Sequence, residues 1–310
     1  MAAEQKEYVT SLARYNRIKP LTNAIFTIYF IVFAIVCVAP VIFTAIISVS
    51  AEESIRINGY SFTPSQFSMD AYNYLWTNRE PISMAFFNSI FNTLVGVVLG
   101  LFLTSSMGYA LSRKEYVLRR FFTLFIFIPM LFGGGLVASY LINTQLLMLK
   151  NTRWALILPL CVSSFNIVIM RTFFQTGTPD AILESAEIDG ASQYRIYFGI
   201  VIPISKPVFA TIGLFLTFAF WNDWFQASLY LSSDHFKLFP LQYVLVSIQK
   251  NLDFMVKNQQ YLSTAGGTAN LPAESSRMAM VMVIVLPIAM AYPFFQKYFI
   301  SGLTIGAVKG

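Results

Sequence analysis

Charge is scarce in this chain. Only 12% of its 310 residues are Asp, Glu, Lys or Arg, against about 25% in a soluble domain, so a water-soluble globular fold is excluded. Histidine is nearly absent. His235 stands alone, which rules out a multi-histidine metal centre. The two cysteines, Cys37 and Cys161, both fall inside apolar runs. They read as small packing residues, not as a disulfide framework or a metal site. No Walker-type phosphate loop occurs, so the chain is not expected to hydrolyse ATP. No Ser/His/Asp or Cys/His arrangement suggests a catalytic centre, and no cofactor is expected. No basic stripe interleaved with aromatics lies outside the apolar segments, so no nucleic-acid partner is expected. What fills the chain instead is apolar: 56% hydrophobic residues, 30 of them Phe. That composition predicts an all-α integral membrane protein with membrane lipid around it.

The apolar runs and their punctuation predict six transmembrane helices, over about 24–48, 86–111, 121–142, 154–171, 200–224 and 278–298. Residues 1–23 form a basic N-terminal segment with Lys6, Arg14, Arg17 and Lys19. The uncharged run that follows is longer than a signal-peptide core, so it reads as the first span. Lys and Arg are denser in one set of alternating loops, which places both termini, including the 301–310 tail, in the cytoplasm. Lys150 and Arg153 run mildly against that rule. Residues 67–75 read as a short interfacial helix in an outer loop, and 226–276 as the longest outer segment, broken at Gly266-Gly267. Gly96, Gly100, Thr104 and Gly108 recur every four residues. This predicts a stripe on which another helix backbone packs closely. Pro129 and Gly133-Gly134-Gly135 break the third run. They read as a packing kink or, alternatively, as a pathway-lining element.

The longest polar interruption that still carries a pattern is 178–207. Thr178 is expected to cap a helix, with Pro179 at its first position and Asp180 in its first turn. Ile182, Leu183 and Ala186 fall on one side of it. Asp189-Gly190 signals a turn, and Ser192 caps a second helix running into Pro203. The spacing alone equally fits an amphipathic connector lying on the membrane surface.

Glu184-Ser185-Ala186, Asp189-Gly190-Ala191, Tyr197, Ile200, Pro203 and Pro207 resemble the "EAA" signature of ABC importer permeases. Two positions depart from the pattern: Ser185 stands where Ala is usual, and Tyr197 where Phe is usual. Further segments are similar to the carbohydrate (maltose-type) branch, and within it to permeases of complex-polysaccharide and oligosaccharide uptake. They are 129–135 (PMLFGGG), 151–154 (NTRW), 169–174 (IMRTFF), 221–224 (WNDW) and 305–310 (IGAVKG). The resemblance implies a type I importer permease fold in the bacterial cytoplasmic membrane. It implies a second homologous permease as partner and two ABC ATPase subunits carrying ATP and Mg. It also implies an extracellular or periplasmic binding protein that delivers an oligosaccharide. These loop residues would dock the ATPase, with Asp189 read foremost as a cap and Gly190 as the turn.

Sugars offer apolar faces to aromatics and hydroxyls to amides and carboxylates. Tyr140, Asn166, Trp221, Asn222 and Asp223 are therefore the candidate pathway residues, each with a purely structural alternative. Within the same class, an importer of peptides or another polar solute shares the loop. An ion-driven secondary transporter would need acid or His relays inside the spans, where only Asp223, near one end, is available. A membrane-embedded enzyme has no supporting constellation.

Overall fold

The computed structural model describes residues 19–257 and 272–307. The expected Gly266-Gly267 break and most of the basic N-terminal segment lie outside them. Among the described residues the chain is helical, with a single β-bridge between Ser50 and Phe67.

Three helices are long and apolar enough to cross a membrane: α1 (Pro20–Ser48), α4 (Arg79–Ser112) and the last helix, α14 (Ala273–Ala307), through Pro293. Short α2 (Glu52–Asn58) and α3 (Asp70–Thr77) lie between the first two. Three further runs are bent pairs. α5 (Arg119–Leu131) and α6 (Leu136–Leu141, continued to Leu146) meet at 118°. α7 (Trp154–Cys161) and α8 (Ser164–Gly177) meet at 46°. The segment from Gln193 to Ile204 meets α11 (Lys206–Trp221) at 81°. At the end away from the 178–207 loop sit α12 (Phe225–Tyr230), a 3-10 turn (Ser233–Leu238) and α13 (Leu241–Lys257).

α4 is the axis. Its 34 residues extend about 51 Å, and α7, α8, α11 and α13 all pack on it. The reason lies in its small residues. A Cβ at Gly96 would meet the Phe220 ring at 2.3 Å. One at Gly100 would meet the Cys161 carbonyl at 2.8 Å, and one at Gly108 would meet Met170 at 3.0 Å. Thr104 is fully buried on the same stripe. Small residues thus let α11, α7 and α8 approach the α4 backbone, as the four-residue spacing predicts.

The glycine triplet behaves differently. No atom lies within 4 Å of a Cβ placed at Gly133, Gly134 or Gly135, so the break is not a packing kink within this chain. Gly135 has φ 81°, a backbone region that L side chains rarely adopt. That conformation, with Pro129 interrupting the helix before it, produces the sharp bend.

The end away from the loop is fastened by polar contacts. The Glu52 carboxylate accepts from the Glu274 and Ser275 amides at 3.0 Å each and from Ser275 Oγ at 2.8 Å. This caps the N-terminus of α14 from α2. Arg277 pairs with Asp253 of α13 at 2.6 Å and with Glu274 at 2.8 Å. Arg153, the outlier of the charge pattern, donates to Asn88 Oδ1 at 3.1 Å and lies over the Phe91 ring at 4.6 Å. Its charge is absorbed by α4.

Candidate functional site

The 178–207 loop is two short helical arms around a glycine. α9 (Asp180–Ile188) ends in a Schellman motif. Gly190 takes φ 76°, its N–H reaches the Glu187 carbonyl at 3.0 Å, and the Ala191 N–H reaches the Ala186 carbonyl at 2.9 Å. Ser192 then caps α10 (Gln193–Ile196), its hydroxyl accepting from the Arg195 amide at 3.4 Å. A π-helical turn over Tyr197–Val201 and a last turn over Ile202–Ile204 complete the second arm. Thr178 does not cap α9. It is 2% exposed and turned inward, and α9 starts after Pro179 without a side-chain cap.

One face of this loop is welded to the helices. Leu183, Ile196, Tyr197 and Val201 share a cluster with Tyr109, Met170, Phe174, Val208 and Ile212. Each such side chain withdrawn from water contributes on the order of 1.5–3 kcal/mol. Tyr197 OH and Ser105 Oγ of α4 lie 2.6 Å apart in a buried hydrogen bond. The Tyr197 ring packs 5.0 Å from Tyr109. Tyr109 OH donates to Gln193 Oε1 at 2.8 Å, and Gln193 Nε2 donates to Glu187 Oε1 at 2.7 Å. One tyrosine of α4 therefore reaches both arms. At the rim, Lys114 donates to Asp180 at 2.8 Å. That hydrogen bond holds the Asp180 carboxyl below the usual carboxylate range and raises the Lys114 ammonium.

The opposite face is open. Ile188 is 86% exposed and Tyr194 79%, with Glu184, Ser185, Asp189 and Gly190 exposed around them. Ser185 Oγ donates back to the Ala181 carbonyl. The Glu184 and Asp189 carboxylates have no hydrogen-bond partner among the described residues, so Asp189 caps nothing with its side chain. Ala186 and Ala191 are half-buried at the bend, as are Ile200 and Pro207, while Pro203 is exposed. Ile182 points outward, unlike Leu183. The residue list drawn from the sequence lacked Ile188, Tyr194, Tyr109, Ser105 and Gln193. Period alone could have flagged Ile188, which falls off the buried stripe set by Leu183.

The candidate pathway residues divide. Trp221 is buried, donates Nε1 to the Ile284 carbonyl at 3.1 Å and meets Phe86 edge-on at 5.9 Å. It ties α11 to α14. Asn222 is exposed and accepts from Gln242 of α13 at 3.2 Å. Asp223 Oδ1 accepts from the Gln226 amide at 3.2 Å, at the start of α12. Tyr140 stacks on Tyr230 of α12 with ring centroids 6.0 Å apart and planes 6° apart. Asn166 is buried on α8, and no hydrogen bond joins it to the other four. Gln242 belongs with Asn222, and no local pattern pointed to it; Trp224, the last residue of the 221–224 run, lies beneath the Lys250 ammonium at 5.6 Å.

Residues 96–305 match the family described as the binding-protein-dependent transport system inner membrane component. The chain belongs to this family. The matched stretch opens at the first glycine of the packing stripe and takes in the whole 178–207 loop, so the permease carries its best-anchored structure within the family region. It is 36% identical to the polygalacturonan/rhamnogalacturonan transport system permease protein YtcP of Bacillus subtilis (strain 168), over 91% of this chain and 96% of the relative. It is 35% identical to protein LplC of the same organism, over 89% and 90%. It is 29% identical to the arabinooligosaccharides transport system permease protein AraQ of Halalkalibacterium halodurans, over 95% and 99%. Among solved structures it resembles a bacterial ABC transporter involved in the import of the acidic polysaccharide alginate. The TM-score is 0.75 at 27% identity, covering 92% of this chain and all of that one. The fold is that of a type I importer permease, a transport component and not a catalytic subunit.

Proposed function

We propose that this permease is a membrane subunit of an ATP-driven importer of oligosaccharides released from complex polysaccharides. Its relatives are named for polygalacturonan/rhamnogalacturonan and arabinooligosaccharide transport, and its structural neighbour for alginate import. In this reading the three long helices and three bent pairs make six spans in the bacterial plasma membrane, with both termini and the 178–207 loop cytoplasmic. A second homologous permease completes the pathway, two ATPase subunits bind the loops, and an external binding protein delivers the sugar.

The observation that carries the coupling role is the two-faced loop. Its inner face is buried against α4, α8 and α11, while Ile188 and Tyr194 project an apolar pair from a polar frame. An apolar pair of this kind on a rigid mount fits a groove in a soluble partner. When ATP draws two ATPase subunits together, the loop moves with its groove. The apolar weld and the Tyr197–Ser105 bond pass the motion to α4, and the bundle switches between discrete packings. Asn222, Asp223 and Tyr140 line the solute route, with Trp221 and Asn166 supporting it.

The test is ATPase stimulation in the reconstituted complex with its binding protein. Oligogalacturonides, neutral arabino-oligosaccharides and peptides are compared at matched concentration. Saccharide-dependent stimulation supports the reading. Stimulation by peptides alone removes the sugar.

A further inference from the structure

A cavity of about 150 Å³ lies at the end away from the 178–207 loop, between the end of α1, α2 and the 59–65 segment. The local chain closes it. α2 ends at Gly59, whose φ of 73° turns the backbone out of the helix. The chain then returns past α2 and pairs beside its start. The Ala51 N–H reaches the Gln66 carbonyl at 3.0 Å, and the Ser68 N–H reaches the Val49 carbonyl at 2.9 Å. The Tyr60 hydroxyl donates to Glu274 at 2.6 Å and ties the same segment to α14. The walls are therefore held before any ligand arrives, which lowers the cost of binding.

The lining decides what fits. No lining residue is charged. Ile47 and Ile55, both buried, give an apolar side. The polar side is Ser54, Asn58, Ser61, Thr63 and Ser65, and much of its hydrogen-bonding capacity is unused. The Ser54 hydroxyl and Asn58 Oδ1 have no partner among the described residues. Ser65 Oγ accepts from Asn58 Nδ2 at 3.1 Å, and its own proton remains to be donated. The Ser61 and Thr63 hydroxyls lie 3.3 Å apart and share one hydrogen bond, so one of their two protons is left over. Hydroxyls both donate and accept, and an amide oxygen accepts, so this set matches another polyol. It offers no cation to a carboxylate or phosphate and no carboxylate to a basic side chain, and withdrawing an unpaired charge from water is costly. A cavity of about 150 Å³ has room for one six-membered ring, the size of benzene.

We propose that this cavity is a subsite for one uncharged pyranose unit of an oligosaccharide. The C–H face of the ring lies against Ile47 and Ile55, and its hydroxyls meet the serines, Thr63 and Asn58. None of the candidate route residues lines it, so it is a second sugar contact and not a restatement of the first. The assignment rests on the saccharide reading above and narrows it: the oligosaccharide carries at least one neutral unit.

The test is saturation-transfer NMR of the assembled transporter in nanodiscs, without ATP or binding protein. The probes are methyl galactoside and its charged counterpart, methyl galacturonoside. The expected result is saturation of the galactoside, with the galacturonoside bound at least about tenfold more weakly because its carboxylate finds no cation. Ser54→Ala should weaken galactoside binding about fivefold, the worth of one hydrogen bond. Ser54→Phe fills the cavity and should abolish it. Ser83→Ala, at an exposed serine of α4 bonded only to its own helix, should leave it unchanged. A galactoside signal untouched by both Ser54 variants overturns the proposal, as does equal binding of the two probes. Ser54→Cys cross-linked to the binding protein in the absence of sugar would assign the cavity to a protein loop and also overturn it. Saccharide-stimulated ATPase activity without galactoside binding removes the cavity alone. ATPase stimulation by peptides alone removes the importer's saccharide role by a separate readout.

Discussion

Gly190 and Tyr197 hold the loop's shape by different means. Gly190 faces open space, with nothing within 4 Å of a Cβ built there, so its constraint is the left-handed backbone and not crowding. Gly190→Ala should therefore cost about 1–2 kcal/mol in thermal unfolding of the purified protein, without a cavity or clash signature. Tyr197→Phe removes one buried hydrogen bond. Ser105 keeps its contact to the Phe102 carbonyl, so the loss should be on the order of 1 kcal/mol, with transport retained. A collapse of transport in that variant would give the hydroxyl a role beyond anchoring. Asp223 raises a sharper choice, because its carboxylate already serves the Gln226 amide. Asp223→Ala should lower both stability and uptake. Asp223→Ser keeps an acceptor and loses the charge. If it restores stability and not uptake, the carboxylate belongs to the solute route; recovery of both makes Asp223 a cap alone. The Lys114–Asp180 pair is exposed and should matter little. Because the Asp180 carboxyl is held low, the pair's contribution is present above the ordinary carboxylate range and is lost only as acid titrates the folded value. The protection of α9 against hydrogen exchange, relative to the intrinsic rate at each pH, should therefore be flat across neutral pH.

Among the helices, the contrast between the two glycine sets is the clearest test of packing. Gly96→Ala drives a Cβ into the Phe220 ring, and overpacking of this kind costs typically about 1–3 kcal/mol. Gly134→Ala meets nothing and should leave the melting temperature in detergent within error of the parent. Equal destabilisation by both would refute the view that α4 is the packing axis. The same contrast shows what the sequence made legible. A four-residue repeat of small side chains carries its own geometry, so the α4 stripe could be read directly. The Gly133–Gly135 break could be located but not interpreted, because its 118° bend depends on backbone angles and not on residue type. The Asp189-Gly190 turn and the Ser192 cap followed from local chemistry. Thr178 did not, because burial against the bundle outcompeted the local capping bond. Trp221, Asn222 and Asp223 were visible as polar and aromatic groups at a helix end. The partners of Trp221 and Asn222, Ile284 and Gln242, are set by tertiary packing, which no local pattern encodes, whereas Asp223 serves an amide only three residues on.

At the scale of the whole molecule, the permease has a bound face and a free face at its loop. The welded cluster around Tyr109 ties the loop to α4, and in the proposed coupling role the exposed Ile188 and Tyr194 are its handle for another protein. Replacing both by Ser removes the apolar contact without touching the buried side. Such a variant should insert, fold and keep the second permease, because none of its anchoring residues has changed. The decisive measurement is affinity purification of this chain in mild detergent from its own host, comparing the parent with the Ile188→Ser/Tyr194→Ser variant and quantifying co-purified subunits by mass spectrometry. The account predicts a second permease with both proteins, and a soluble ATPase with the parent that falls at least about tenfold in the variant, since truncation of an interface anchor typically costs 2 kcal/mol or more. Full recovery of the ATPase with the variant, or its absence from the parent at every salt concentration, would contradict the coupling role of the 178–207 loop.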